Sequence, residues 1–107
     1  MQVKPGNIFE DSGSFYQVVK ATAKTAVIRP IESLFVGYDD EHGWERVYMP
    51  IVDRFTTDPW MSRDEALRGK RLKIHDFSQA GNRPELHYGY RTLHLWDGKP
   101  SVLDTYS

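Results

Sequence analysis

The chain has 107 residues, no cysteine, and 14 Lys+Arg against 15 Asp+Glu, for a formal net charge of −1. A length of this order buries one core, so a single domain over residues 1–107 is expected, and 39% hydrophobic with 27% charged residues is the balance of a water-soluble globular chain. These figures exclude a disulfide scaffold, a Cys-based zinc site, a disordered chain and a membrane span, and no bulk charge points to nucleic acid or membrane.

Turn signals recur at short intervals, with β-branched and aromatic residues between them. Pro5-Gly6-Asn7 is a turn that delivers the chain into Ile8-Phe9, and Glu10 to Ser14 is a polar loop. Phe15 to Lys20 is the first clear strand. Thr22-Ala23-Lys24 reverses it, with Lys20 and Lys24 keeping the hairpin tip wet, and Thr25 to Ile31 returns. Pro30 has no N–H to give a ladder, so it marks an edge or a bulge, beyond which Leu34-Phe35-Val36 extends the strand. Gly37 to Gly43 reads as an exposed acidic loop, and Trp44 to Ile51 as a third long strand.

Ser62-Arg63-Asp64-Glu65 is a capping box. It predicts one short helix through Arg68, closed by Gly69 in the left-handed conformation and packed through Leu67 or Met61. Arg71-Leu72-Lys73-Ile74 alternates as a strand with Leu72 and Ile74 inward, and Ser78 to Pro84 is a loop. Glu85 to Tyr90 and Thr92 to Trp96 are further strand material. Asp97-Gly98 is the strongest hairpin dipeptide, with Ser101-Val102-Leu103 returning and a fraying tail from Asp104 to Ser107. The fold expected is all-β with one short helix: a small SH3-like barrel of five to seven strands, or a strongly bent antiparallel sheet. The N-terminus has no apolar h-region or small-residue cleavage pattern, so a cytoplasmic location is expected.

Several segments carry a resemblance. Gly6-Asn7-Ile8-Phe9, Phe15 to Lys20, Thr22 to Thr25, Ile28 to Ile31, Arg71 to Ile74, Leu95-Trp96-Asp97-Gly98-Lys99-Pro100 and the ending Thr105-Tyr106-Ser107 occur in this order. Together they resemble a family of short proteins of unknown function encoded by phages, plasmids and bacterial genomes, with a C-terminal Trp-Asp-Gly-Lys-Pro signature. The family's longer loop between the first two blocks is here cut to Glu10 to Ser14, which puts in doubt any activity that loop carries. The resemblance implies a mobile-element setting and no particular chemistry.

Catalytic constellations are poorly supported. His42, His75, His87 and His94 show no metal-ligand spacing. Strand-face histidines bonded locally are the expected reading, with a spatially assembled His75/Asp76/His87/His94 site as its rival. No Gly-x-Ser-x-Gly elbow, paired Ser/Lys signature or phosphate-cradling glycine loop is present. No enzyme, cofactor or metal is therefore expected.

Two charge clusters remain. Arg63, Arg68, Lys70, Arg71 and Lys73 form a basic segment that reads as a solvated strand edge or, with Tyr88, Tyr90 and Trp96, as a single-stranded nucleic-acid site. Asp39, Asp40, Glu41 and Glu45, with Tyr38 and Trp44, form an acidic, aromatic cluster suited to a basic protein surface or to a mobile solvent loop. The leading expectation is a non-enzymatic module binding a host protein or ribonucleoprotein complex through that acidic cluster, as an anti-CRISPR-like inhibitor of host defence. Nucleic-acid binding through the basic segment is the alternative, and an enzyme with the assembled His/Asp site the third. Exposed strand edges leave a homodimer open.

Overall fold

A computed structural model of the chain describes residues 2–11, 13–39, 45–75 and 83–102. Strand alternation decides which side chains enter its core. In β1 (Ile8–Asp11) and β2 (Ser14–Ala21), Phe9 faces Tyr16 across the ladder and both are fully buried. The hairpin turn at residues 22–24 leads into β3 (Thr25–Asp39), whose Ala26 and Ile28 continue the same inward row. After β4 (Glu45–Phe55) and the helix α1 (Arg63–Arg68) come β5 (Lys70–His75), β6 (Glu85–Tyr88), β7 (Arg91–Leu95) and the two-residue β8 (Ser101–Val102). Leu72, Leu86, Leu93 and Leu95 from β5 to β7 complete the main core, with Val3 and Met61.

All pairings are antiparallel, in the order β2-β1-β7-β6-β5-β3-β4-β8, with β2 also paired to β3. That extra pairing closes β1, β2, β3, β5, β6 and β7 into a ring, a small all-β barrel. The sequence suggests five to seven strands; eight form, because β1 stands apart from β2 and β8 is a separate piece on β4. Among the described residues no helix is long and apolar enough to cross a membrane.

β3 belongs to two structures at once. Residues 26–28 are paired on both sides, by β2 and β5. From Ile31 onward the strand pairs with β4. Pro30 sits where β5 ends and β4 begins, so its missing N–H falls at the break; its carbonyl accepts from Thr56 N at 3.0 Å. A second cluster of Ile8, Phe15 and Ile31 lies on the outside of the ring, covered by Tyr48, Phe55 and Trp96.

Several local expectations change. Gly37 to Asp39 is strand, not loop, since β3 pairs with β4 out to Asp39↔Glu45, and β4 continues four residues past Ile51. The capping box forms as expected, but Gly69 takes φ 96, ψ 151 and not the left-handed helical conformation. The helix packs through Ala66, with Met61 just ahead of it in the core, while Leu67 stays exposed. Gly89-Tyr90, read as strand, is the β6–β7 hairpin turn, with Gly89 at φ 62 between the Tyr88↔Arg91 pair. Asp97-Gly98 makes no β7–β8 hairpin: β7 is flanked by β6 and β1, so β8 crosses to β4. The readings on Asp76, Leu103, the tail and most of the Ser78 to Pro84 loop lie outside the described residues.

Candidate functional site

Beyond Ile31, β3 and β4 leave the ring as a ribbon, edged on the β4 side by the short β8. Its elbow is a bulge, because the register jumps from Ile31↔Phe55 to Ser33↔Pro50 and the surplus residues fall on β4. Asp53 in that bulge has φ 63, a conformation Asp adopts more readily than most residues. Gln17, the one buried polar residue of the described core, holds it twice: Gln17 Nε2 donates to Asp53 Oδ1 at 2.7 Å, and Asp53 N donates to Gln17 Oε1 at 2.8 Å. The clamp ties the elbow to the barrel wall.

The ribbon exposes apolar surface. Leu34, Phe35, Val36, Tyr38 and Val52 are 46–57% exposed, five of the eight large hydrophobic side chains exposed among the described residues. Phe35 lies edge-on to Tyr38 at 5.3 Å and to Tyr48 at 5.9 Å, and with Arg46 they line a shallow cleft of about 250 Å³. Tyr38, Asp39 and Glu45 from the acidic cluster sit at the far end of the ribbon, where register places the Asp39 and Glu45 carboxylates opposite each other. Asp40, Glu41 and Trp44, like His42, lie outside the described residues. The aromatic and aliphatic part of this surface was missed by sequence reasoning. A signal was present: three consecutive apolar residues on one strand cannot all face one core.

The structure splits the basic segment. Arg68 pairs with Asp64 at 3.1 Å, and Lys70 with Glu65 at 3.1 Å, so these two cations are answered within α1 and its flank. Arg71 and Lys73 point out from β5, where Arg71 donates to Thr25 Oγ1 at 3.2 Å. Arg63 lines a separate cleft of about 270 Å³ with Arg29, Phe55 and Leu67; there Arg29 lies 4.1 Å over the Phe55 ring and donates to the Ala66 carbonyl at 2.9 Å. Of the aromatics paired with this segment, Trp96 is half-buried edge-on against Phe15 and is no stacking platform. Tyr90 is fully exposed, and with Trp60, Tyr88 and Arg91 it bounds an apolar cleft of about 390 Å³.

Glu65 is the electrostatic centre of α1. It accepts from Ser62 N at 3.1 Å, the Tyr88 hydroxyl at 2.9 Å and Lys70 Nζ at 3.1 Å. These bonds, that of Ser62 foremost, lower its pKa from 4.5 to about 2. A lowered carboxylate contributes stability that is present above its unfolded pKa and lost as pH falls through the folded one. Glu65→Gln is therefore expected to lower the melting temperature most near neutral pH, with the gap to wild type closing between pH 4.5 and about 2; a gap independent of pH would refute the carboxylate's role.

The histidines are brought together in part. On the outer face of β5 to β7, His75 stacks on His87 at 4.1 Å, while Glu85 reaches His87 at 3.1 Å and His94 at 3.7 Å. Glu10 continues the Glu85–His94 row on β1, its pKa raised by burial. Asp76, the fourth member of the assembled site, lies outside the described residues. Among the described residues no group of three His, Asp or Glu is placed to hold a metal ion.

The chain matches no family model, no curated protein and no solved structure.

Proposed function

We propose that the protein is a non-enzymatic binding module that grips a partner protein with the β3–β4 ribbon. The observation that carries this reading is the concentration of exposed Leu34, Phe35, Val36, Tyr38 and Val52 on one arm that leaves an otherwise closed barrel. Isolated exposed apolar residues are ordinary; a concentration of them on one projecting element marks an interaction surface. Aromatic anchors rimmed by charge are the usual anatomy of an interface centre. Beyond Ile31, β3 has no neighbour on its second side among the described residues, so its backbone offers donors and acceptors for strand addition.

Tyr38, Asp39, Asp40, Glu41, Trp44 and Glu45 complete the contact, their carboxylates answering Lys and Arg of the partner. A surface that binds guide or target nucleic acid presents such cations. Together with the mobile-element setting implied by the resemblance, this makes a bacterial defence complex the partner and an anti-CRISPR-like inhibitor the role, in the cytoplasm of the host.

The test is affinity purification from a bacterial host, followed by mass spectrometry, with wild type, the Phe35→Ser/Tyr38→Ser variant and the Asp39→Lys/Asp40→Lys/Glu41→Lys variant. Truncating an interface anchor costs about 2 kcal/mol, roughly thirty-fold in Kd. Both variants are expected to keep the wild-type melting temperature and lose the captured partner. Equal capture by all three proteins would sink the assignment.

A further inference from the structure

We propose that the outward face of β2, β3 and β5 binds the phosphate backbone of double-stranded nucleic acid, without reading bases. The inference is independent of the ribbon, which leaves the barrel elsewhere. Cross-strand register assembles the face from three segments distant in sequence. One row runs Lys20↔Val27↔Arg71, a second pairs Thr25 with Lys73, and a third pairs Gln17 with Arg29. Lys24 adds its charge at the β2–β3 turn, and Arg63 shares the cleft beside Arg29.

Two observations separate this face from an ordinary solvated surface. First, Arg54, Arg68, Lys70 and Arg91 are each paired with a carboxylate, and of the ten Lys and Arg with no ion pair among the described residues six gather here: Lys20, Lys24, Arg29, Arg63, Arg71 and Lys73. Second, no carboxylate occupies any of the three rows. The nearest acids on the flanks are already engaged: Asp53 by Gln17, Glu65 by Lys70, and Glu85 by His87.

The centre of the face holds half-buried Val27, and no aromatic side chain lies in its rows. Single strands are held by stacking bases on aromatic rings. The exposed rings Trp60 and Tyr90 belong instead to the cleft by the β6–β7 turn. A cationic face without stacking platforms fits the continuous phosphate array of a duplex, which supplies sequence-independent affinity by counterion release.

The experiment measures fluorescence anisotropy of a labelled DNA duplex with the full chain, in salt rising from about 50 mM to about 200 mM, where each phosphate contact contributes a slope of about −0.9 to log K against log salt. The single strand of the same sequence and polyglutamate serve as competitors. Wild type is expected to bind duplex in preference to both. The Lys20→Gln/Arg71→Gln/Lys73→Gln variant is expected to lose at least about tenfold in affinity at low salt and to flatten the slope by about 2.7, three contacts' worth. Phe35→Ser/Tyr38→Ser is expected to bind duplex as wild type does, which separates failure here from failure of the ribbon reading. No duplex binding at low salt, equal competition by polyglutamate, tighter binding of the single strand, or an unchanged slope in the folded triple variant would each overturn the proposal.

Discussion

Phe9→Ala is expected to lower the stability of the protein by about 3–5 kcal/mol, the range for truncating a fully buried phenylalanine. The Phe9 side chain is completely enclosed, packed among Tyr16, Leu93 and Leu95 in the main core. It also stands at a thin seam. β1 and β7 are joined by two aligned pairs, Phe9↔Leu95 and Glu10↔His94, and the ring closes there. Removing the ring of Phe9 leaves a cavity beside a joint that, like β5–β6, has only two aligned pairs to resist relaxation. Urea titration reads the loss as a fall in the midpoint at constant slope. Phe35→Ala, on the exposed ribbon, is expected to change stability by no more than about 0.5 kcal/mol. Equal losses at the two positions would mean that the ring is not the stable unit.

Gly69→Ala is expected to cost about 2–4 kcal/mol, from two separate causes. The backbone at Gly69 has φ 96 and ψ 151, a region nearly closed to residues with a Cβ. A methyl group added there would also lie 2.5 Å from Val27 Cγ1 and 3.4 Å from the Ile28 carbonyl oxygen. The residue is fixed from both ends: its N–H donates to the Glu65 carbonyl at 2.7 Å, and β5 begins at Lys70. Gly98→Ala is the control. It shares a positive φ of 84 but meets nothing within 4 Å, so only the conformational cost applies. Thermal melts in which the two variants lose the same amount would show that the close approach to Val27 carries no weight.

Local chemistry was legible in the sequence; partner choice between strands was not. The capping box at Ser62 and Glu65 and the alternation of Leu72 with Ile74 depend on neighbours within four residues, and both appear as expected. Asp97-Gly98 has hairpin chemistry, but β7 is flanked by its hairpin partner β6 and by β1 from the other end of the chain, so the turn's outcome is set by a strand far away in sequence. The charge clusters show the same limit. Five basic residues adjacent in sequence looked like one patch. Folding pairs Arg68 and Lys70 with helix carboxylates and brings Lys20 and Arg29 beside Arg71 instead. The ribbon's exposed aliphatic residues and Phe35 were missed for a related reason, since a hydrophobic run reads as core until the register shows nothing lying over it.

The double membership of β3 has a consequence for change over generations. Its first residues are locked between two neighbours, while its last are held by β4 and by the Gln17–Asp53 clamp at the elbow. Residues added, removed or exchanged beyond the clamp leave every pairing of the ring in place. The barrel can therefore stay constant while the arm diversifies.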